Sequence, residues 1–93
     1  MNKIRAHLII KGRVQGVCFR METMRAALQQ GNLTGWVRNL ADGTVAAVFE
    51  GAEPDVKSMV DWCGRGPAGA LVTDVQVSWE EYTGAYNSFE IRY

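Results

Sequence analysis

The residues best able to do chemistry lie in Gly12-Arg13-Val14-Gln15-Gly16-Val17-Cys18-Phe19-Arg20, between an alternating apolar pattern and a helical one. Gly12 and Gly16 let the backbone turn tightly with no Cβ in the way, so successive N–H groups can converge on one point. The helix that follows directs its positive end at the same place. Such a concavity suits an anion. Arg20, where loop becomes helix, can add a bidentate and permanently charged clamp for a phosphate or carboxylate. The backbone from Gln15 through Gly16, Val17, Cys18 and Phe19 to Arg20 therefore reads as a phosphoryl cradle. Taken alone the pattern is weak: such loops also occur simply as tight turns, and an isolated arginine there is equally compatible with a surface ion pair.

A second segment sharpens the reading. Gly35-Trp36-Val37-Arg38-Asn39 runs into Leu40-Ala41-Asp42-Gly43-Thr44-Val45, and Asp42-Gly43 marks a hairpin turn between two strands. Asn39 falls near the end of the first of these strands. Its amide carries an acceptor and a donor on one rigid group, although a turn-forming role is the plain alternative for an Asn beside Asp-Gly.

Together the two segments resemble the acylphosphatase family, whose signatures run Gly-x-Val-Gln-Gly-Val-x-Phe-Arg and Gly-aromatic-Val-Arg-Asn-x-x-x-Gly-x-Val. This chain matches them as Gly12 to Arg20 and Gly35 to Val45, and its length, element order and Gly66-Pro67 before the fourth strand are similar to that family too. The resemblance implies hydrolysis of a small-molecule acyl phosphate to a carboxylate and inorganic phosphate, with no metal and no cofactor. It assigns phosphate binding to Arg20 and orientation of the attacking water to Asn39. The chemistry fits the absence of a Ser-His-Asp set, an acid pair or a metal cluster. An acyl phosphate expels a carboxylate that is already a stable anion near neutral pH, so no strong general acid is required. What remains is to hold the phosphoryl group, neutralise its nonbridging oxygens and place a water in line.

The elements that must position these residues follow from periodicity. Ile4, Ala6, Leu8 and Ile10 alternate with Arg5, His7, Ile9 and Lys11, which predicts a strand over Ile4–Lys11 with one buried face. Met21, Met24, Ala27 and Leu28 recur at helical spacing up to a stop at Gly31-Asn32. Leu33–Leu40 and Thr44–Glu50 form the hairpin. Glu53-Pro54-Asp55 then opens a second helix with Val56, Met59, Val60 and Cys63 as its apolar stripe, ending at Gly64–Gly66. Leu71–Glu80 alternates with Val75, Val77 and Trp79 on one side, Tyr82–Ser88 reads as a polar loop, and Phe89, Ile91 and Tyr93 mark a short final strand. The order β-α-β-β-α-β predicts an α+β, ferredoxin-like split βαβ sandwich, an antiparallel sheet with both helices on one face and the other face open.

The 93 residues are expected to form one domain over 1–93 with one site. Ten basic and ten acidic residues give a formal net charge of zero, so no field attracts nucleic acid or an acidic membrane. No apolar run reaches membrane-spanning length, which predicts a cytoplasmic protein without a membrane partner. Cys18 and Cys63 lack metal-type spacing and are expected as free thiols, with Cys18 inside the cradle. A monomer is expected because nothing resembles a coiled-coil seam.

Other readings compete. A binding module could use the cradle without turnover, but it has no need of a water-positioning amide at Asn39. An RNA platform on the open face would need stacking aromatics among basic residues, whereas the first strand offers Arg5, His7 and Ile9 there. An interaction domain that pairs through sheet edges would leave both motifs unexplained. His7, the only histidine, falls outside both motifs and onto the open side. Arg13 and Arg38 read as solvated surface charge.

Overall fold

The computed structural model describes residues 2–93. The element order is β1 (Lys3–Arg13), α1 (Phe19–Gln29), β2 (Thr34–Asn39), β3 (Val45–Ala52), α2 (Glu53–Arg65), β4 (Leu71–Glu81) and β5 (Phe89–Arg92). Alternation in β1 does what its sequence predicts: Ala6, Leu8 and Ile10 are fully buried, while Arg5, His7 and Ile9 are partly covered on the opposite face. Val56, Met59 and Cys63 bury the predicted stripe of α2, whose first turn carries Pro54 and the acids Glu53 and Asp55. Both cysteines are free, and burial pushes the Cys63 thiol well above its ordinary value.

In α1 the buried face agrees with the sequence expectation at Met24 and Ala27 and differs from it elsewhere. Phe19, Thr23 and Ala27 face the core, whereas Met21 is 50% and Leu28 is 60% exposed. The helix begins at Phe19, and the i, i+4, i+8 row from that large ring sets the inner face. Thr23 is tolerated inside because its hydroxyl donates to the Phe19 carbonyl at 2.7 Å.

The sheet order is β4-β1-β3-β2-β5, with the helices packed against β1–β5 on one side. β1 pairs antiparallel with β3 and β4, and β2 with β3, but β5 pairs parallel with β2, so the sheet is mixed rather than antiparallel throughout. The register explains why. Thr34, Glu50, Arg5 and Glu80 form one row across β2, β3, β1 and β4, so β4 finishes at the same end of the sheet at which β2 begins. Residues 82–88 cross that end and deliver the chain to Phe89 beside Gly35, from where it can only run alongside β2. A bulge between Lys11 and Gly12 bends β1 against β4, and a Cβ at Gly12 would collide with the Leu71 carbonyl oxygen.

The crossing segment also covers one end of the face expected to be open. Glu50 is fully buried there and accepts bonds from the Thr83 hydroxyl at 2.6 Å, the Gly84 amide at 3.0 Å and Arg5 at 2.9 Å. Arg5 also donates to Glu80 at 2.8 Å, and the Tyr86 hydroxyl accepts from Arg5 and from the Trp36 indole. Arg92 lies over the rings of Trp36 and Tyr86. Burial alone would raise the Glu50 carboxyl, but the bonds from Thr83, Arg5 and Gly84 outweigh it and hold the group below its ordinary range.

Candidate active site

The glycine loop joins β1 to α1 at the end of the sheet away from Glu50. Gly16 (φ 75°) and Cys18 (φ 60°, ψ 26°) are both left-handed, while Val17 between them is not. Alternating handedness along successive residues is the backbone pattern that turns consecutive N–H groups toward a common point. Cys18 is the only non-glycine residue with positive φ among the described residues, and it is the N-cap of α1 with no side-chain capping bond. The first intrahelical bond runs from the Glu22 amide to the Cys18 carbonyl at 3.0 Å. The amides of Phe19, Arg20 and Met21 therefore have no intrahelical acceptor and present the positive end of the helix to whatever lies in front of it.

What lies in front is a pocket of about 340 Å³ lined by Val14, Gly16, Cys18, Phe19, Arg20, Met21, Asn39, Ile91 and Tyr93. Of the cradle residues expected from sequence, Gly16, Cys18, Phe19 and Arg20 line it; Gln15 and Val17 do not. Asn39 reaches the same pocket because alternation along β2 places it on the helix side with the fully buried Val37. Its amide oxygen is buried and has no hydrogen-bond partner. A buried polar atom left without a partner is costly, which sets this oxygen apart from the other side-chain polar atoms buried among the described residues.

Arg20 has no carboxylate within ion-pair distance among the described residues. Its guanidinium instead lies 4.9 Å from the centroid of the Tyr93 ring. The charge is therefore held in place without being neutralised, so the surface ion-pair alternative is not met.

Gln15 has a task that its sequence position concealed. Its side-chain amide donates to the Leu40 carbonyl and to the Thr44 carbonyl, both at 2.8 Å. Both N–H bonds of that amide are thus spent on the hairpin. The turn itself is closed by the Leu40 amide on the Thr44 carbonyl at 2.9 Å and by Asp42, which accepts from the Thr44 hydroxyl at 2.6 Å. Hydrogen bonding to Thr44 also lowers the Asp42 carboxyl. The brace fixes the residue after Asn39 to the loop that precedes Arg20.

Four further lining residues, Val14, Met21, Ile91 and Tyr93, were not among the sequence-derived candidates. The period of two in Phe89, Ile91 and Tyr93 already put them on one face; what it lacked was the strand beside which they stand. His7 lies on the other face of the sheet, edge-on to Trp36 at 6.2 Å between ring centroids, and is not part of the pocket. Arg13 and Arg38 are exposed and do not line it either. Among the described residues no group of three or more His, Cys, Asp or Glu side chains could hold a metal ion. Nor is any helix among the described residues long and apolar enough to cross a membrane.

The family model for acylphosphatase matches residues 6–91, which span the loop, the helix, the hairpin and β5. The chain belongs to the acylphosphatase family. It is 50% identical over 93 residues to an acylphosphatase of Pelotomaculum thermopropionicum, covering all of both chains. To an acylphosphatase of Trichormus variabilis it is 55% identical over 89 residues, 96% of this chain and 86% of that one. Among solved structures, the acylphosphatase from Bacillus subtilis superposes with a TM-score of 0.91 at 34% identity, covering 97% of this chain and 99% of that one. The Bacillus subtilis acylphosphatase thus shares the fold described above.

Proposed function

We propose that this chain hydrolyses the carboxyl–phosphate bond of small acyl phosphates, releasing a carboxylate and inorganic phosphate without a metal ion. Family membership supports the reaction class. The observation that carries the division of labour is the meeting of two groups in one pocket: an arginine without an acidic partner at an uncapped helix terminus, and the buried, unpartnered amide oxygen of Asn39.

In this reading the amides of the Gly16–Arg20 segment and the Arg20 guanidinium bind the nonbridging phosphoryl oxygens. They stabilise the charge that spreads over those oxygens in a loose transition state. The Asn39 amide oxygen accepts a hydrogen bond from water and turns a lone pair toward phosphorus. As the new P–O bond forms, the bond from phosphorus to the acyl oxygen breaks, and its electron pair leaves with the carboxylate. The proton given up by water passes to a phosphoryl oxygen, so no side-chain base is needed. The site needs no second copy, because loop, helix, hairpin and β5 come from one chain.

The test is turnover of acetyl phosphate in the presence of a strong chelator, beside an alkyl phosphate monoester such as glycerol phosphate. Acetyl phosphate is expected to be cleaved and the monoester left essentially untouched, because a poorer leaving group needs protonation or metal stabilisation. Loss of turnover with chelator and its recovery with a divalent cation would sink the metal-free mechanism. Inorganic phosphate should inhibit competitively, as a product that fits the cradle.

A further inference from the structure

A formal net charge of zero conceals an uneven placement of the ten basic and ten acidic side chains. The sheet has two ends: β1, β2 and β5 finish, and β3 and β4 begin, at the end that carries the pocket. α1 starts at that end and α2 stops there. When each element is halved along its length, the pocket half holds six bases: Lys11, Arg13, Arg20, Arg38, Arg65 and Arg92. Against them stand four acids, Glu22, Asp42, Asp61 and Asp74, of which Glu22 is already paired with Arg25 at 3.0 Å. The other half holds the remainder, four bases and six acids, so the neutral chain is polarised with its positive end at the pocket.

Two of these bases adjoin the pocket directly in the chain. Arg13 precedes Val14 and Arg38 precedes Asn39, and Val14 and Asn39 both line the cavity. Both arginines are exposed, and neither has an ion-pair partner among the described residues. Alternation along β2 turns Arg38 to the face opposite Asn39, so it acts on an anion in the pocket as a point charge and not as a hydrogen-bond donor. One step along the chain is about 3.8 Å, which places each guanidinium on the order of 10 Å from the bound anion. That is about one Debye length at 0.1 M salt. Across water a single charge pair at this separation attracts weakly, but a dianion doubles the attraction and the second arginine doubles it again.

We infer that Arg13 and Arg38 are capture charges: exposed, unpaired guanidinium groups outside the cradle that draw a dianionic phosphoryl group into the pocket and strengthen its binding there. This rests on the reading of the pocket as a phosphoryl site. A field of one sign at the mouth of a cleft raises the local concentration of the opposite ion. It acts alike on the bound substrate and on the transition state, so its removal raises KM and leaves kcat in place.

The experiment uses Arg13→Gln, Arg38→Gln and the double variant, all checked by thermal melting. Calorimetric binding of inorganic phosphate and turnover of acetyl phosphate are measured in sodium chloride at mildly alkaline pH, where phosphate is mostly the dianion. Two ionic strengths are compared, about 0.01 M and about 0.15 M, where the Debye length is about 30 Å and about 8 Å. At the lower salt each single variant should weaken phosphate and raise KM about threefold, and the double variant about tenfold; at the higher salt the double variant should lose only about twofold. Arg13→Lys and Arg38→Lys should match the parent protein, because a field needs a charge and not a planar fork. Lys57→Gln, at the other end of the molecule, should change neither quantity. Equal phosphate affinity in the parent and the double variant at low salt overturns the proposal. So does a salt dependence undiminished in the double variant, which would arise from chloride competing in the cradle, or an equal effect from Lys57→Gln. A fall in kcat with KM unchanged overturns the capture role. If phosphate binding follows the expected salt pattern but acetyl phosphate is not cleaved, the capture charges stand and the hydrolase reading falls.

Discussion

Gln15 is the sharpest place to test how the two halves of the site are held together. Replacing it with leucine keeps the approximate shape and removes both donors to the hairpin, on Leu40 and Thr44. Each carbonyl keeps one other donor, since Leu40 accepts from the Gly43 amide at 3.2 Å and Thr44 from the Leu40 amide at 2.9 Å. The full penalty of an orphaned buried acceptor therefore does not apply. Two ordinary hydrogen bonds at about 1 kcal/mol each give a loss of about 2 kcal/mol. For a domain of this size that lowers Tm by roughly 8–16 °C. Turnover should fall further than stability suggests, because Asn39 directly precedes the braced Leu40 and a displacement of about 1 Å can cost a factor of about 100. Phosphate affinity should change little, because the cradle and Arg20 remain. Gln15→Glu is harsher. Its carboxylate would face two carbonyl oxygens, which raises its pKa in the folded state, so the deficit is largest above the carboxylate range and shrinks as pH falls and the protonated acid can donate again. The assay pairs calorimetric melting and phosphate titration with acetyl phosphate turnover across pH. If Gln15→Leu melts and turns over like the parent protein, the brace has no mechanical role and the reasoning fails.

Asn39→Ala should cut turnover severely while phosphate binding by calorimetry stays within about an order of magnitude; equal loss of both would place Asn39 on the anion rather than on the water. Arg20→Lys should recover little of the roughly 10³- to 10⁵-fold loss expected of Arg20→Ala, because one ammonium cannot reproduce a planar fork held over Tyr93. Because the folded-state Glu50 carboxyl lies below its ordinary value, it stabilises the fold above the carboxylate range, and that contribution is lost as pH falls through the range. Glu50→Gln should cost about 3 kcal/mol near neutrality and flatten the acid limb of the stability curve; an unchanged limb in chemical denaturation would place the acid sensitivity elsewhere. Cys18→Gly should raise stability by about 1 kcal/mol by relieving a left-handed side-chain residue, and Cys18→Val should lower it, both readable from urea midpoints.

The sequence was most legible where backbone conformation is local. The Gly12–Arg20 run and Asp42-Gly43 announce a tight turn into a helix and a hairpin through residues whose φ preferences or side-chain acceptors act over a few positions, and both stand where expected. Alternation likewise identified which residues of β1 share a face. It was silent on which strands become neighbours, because a period of two is the same in parallel and antiparallel pairs. The parallel seating of β5, and with it the arrival of Ile91 and Tyr93 beside Asn39, follows from the path of residues 82–88 across the sheet. That path is fixed by Glu50, an acid inside a β3 stretch buried from Val45 to Gly51, whose burial depends on donors far along the chain. In α1 the helical period was correct and its phase only in part: Met24 and Ala27 turn to the core as expected, whereas Phe19 and Thr23 rather than Met21 and Leu28 complete the inner face.

The parallel docking of β5 bears on how the molecule comes into being. The pocket draws on Val14 to Met21, on Asn39, and on Ile91 and Tyr93, so its walls close only when distant parts of the chain have met. Helices and the β2–β3 hairpin can form over short loops, whereas pairing β1 with β4 and β2 with β5 requires long ones and is intrinsically slower. The pocket belongs to the completed sheet and to no fragment of it. In the proposed reaction, a refolding chain should regain its helical signal early and its turnover only when β5 seats. Trp36 stands on the reverse side of that same strand pair, bonded to Tyr86 and lying beneath Arg92, so its fluorescence marks the arrival of the strand that finishes the site.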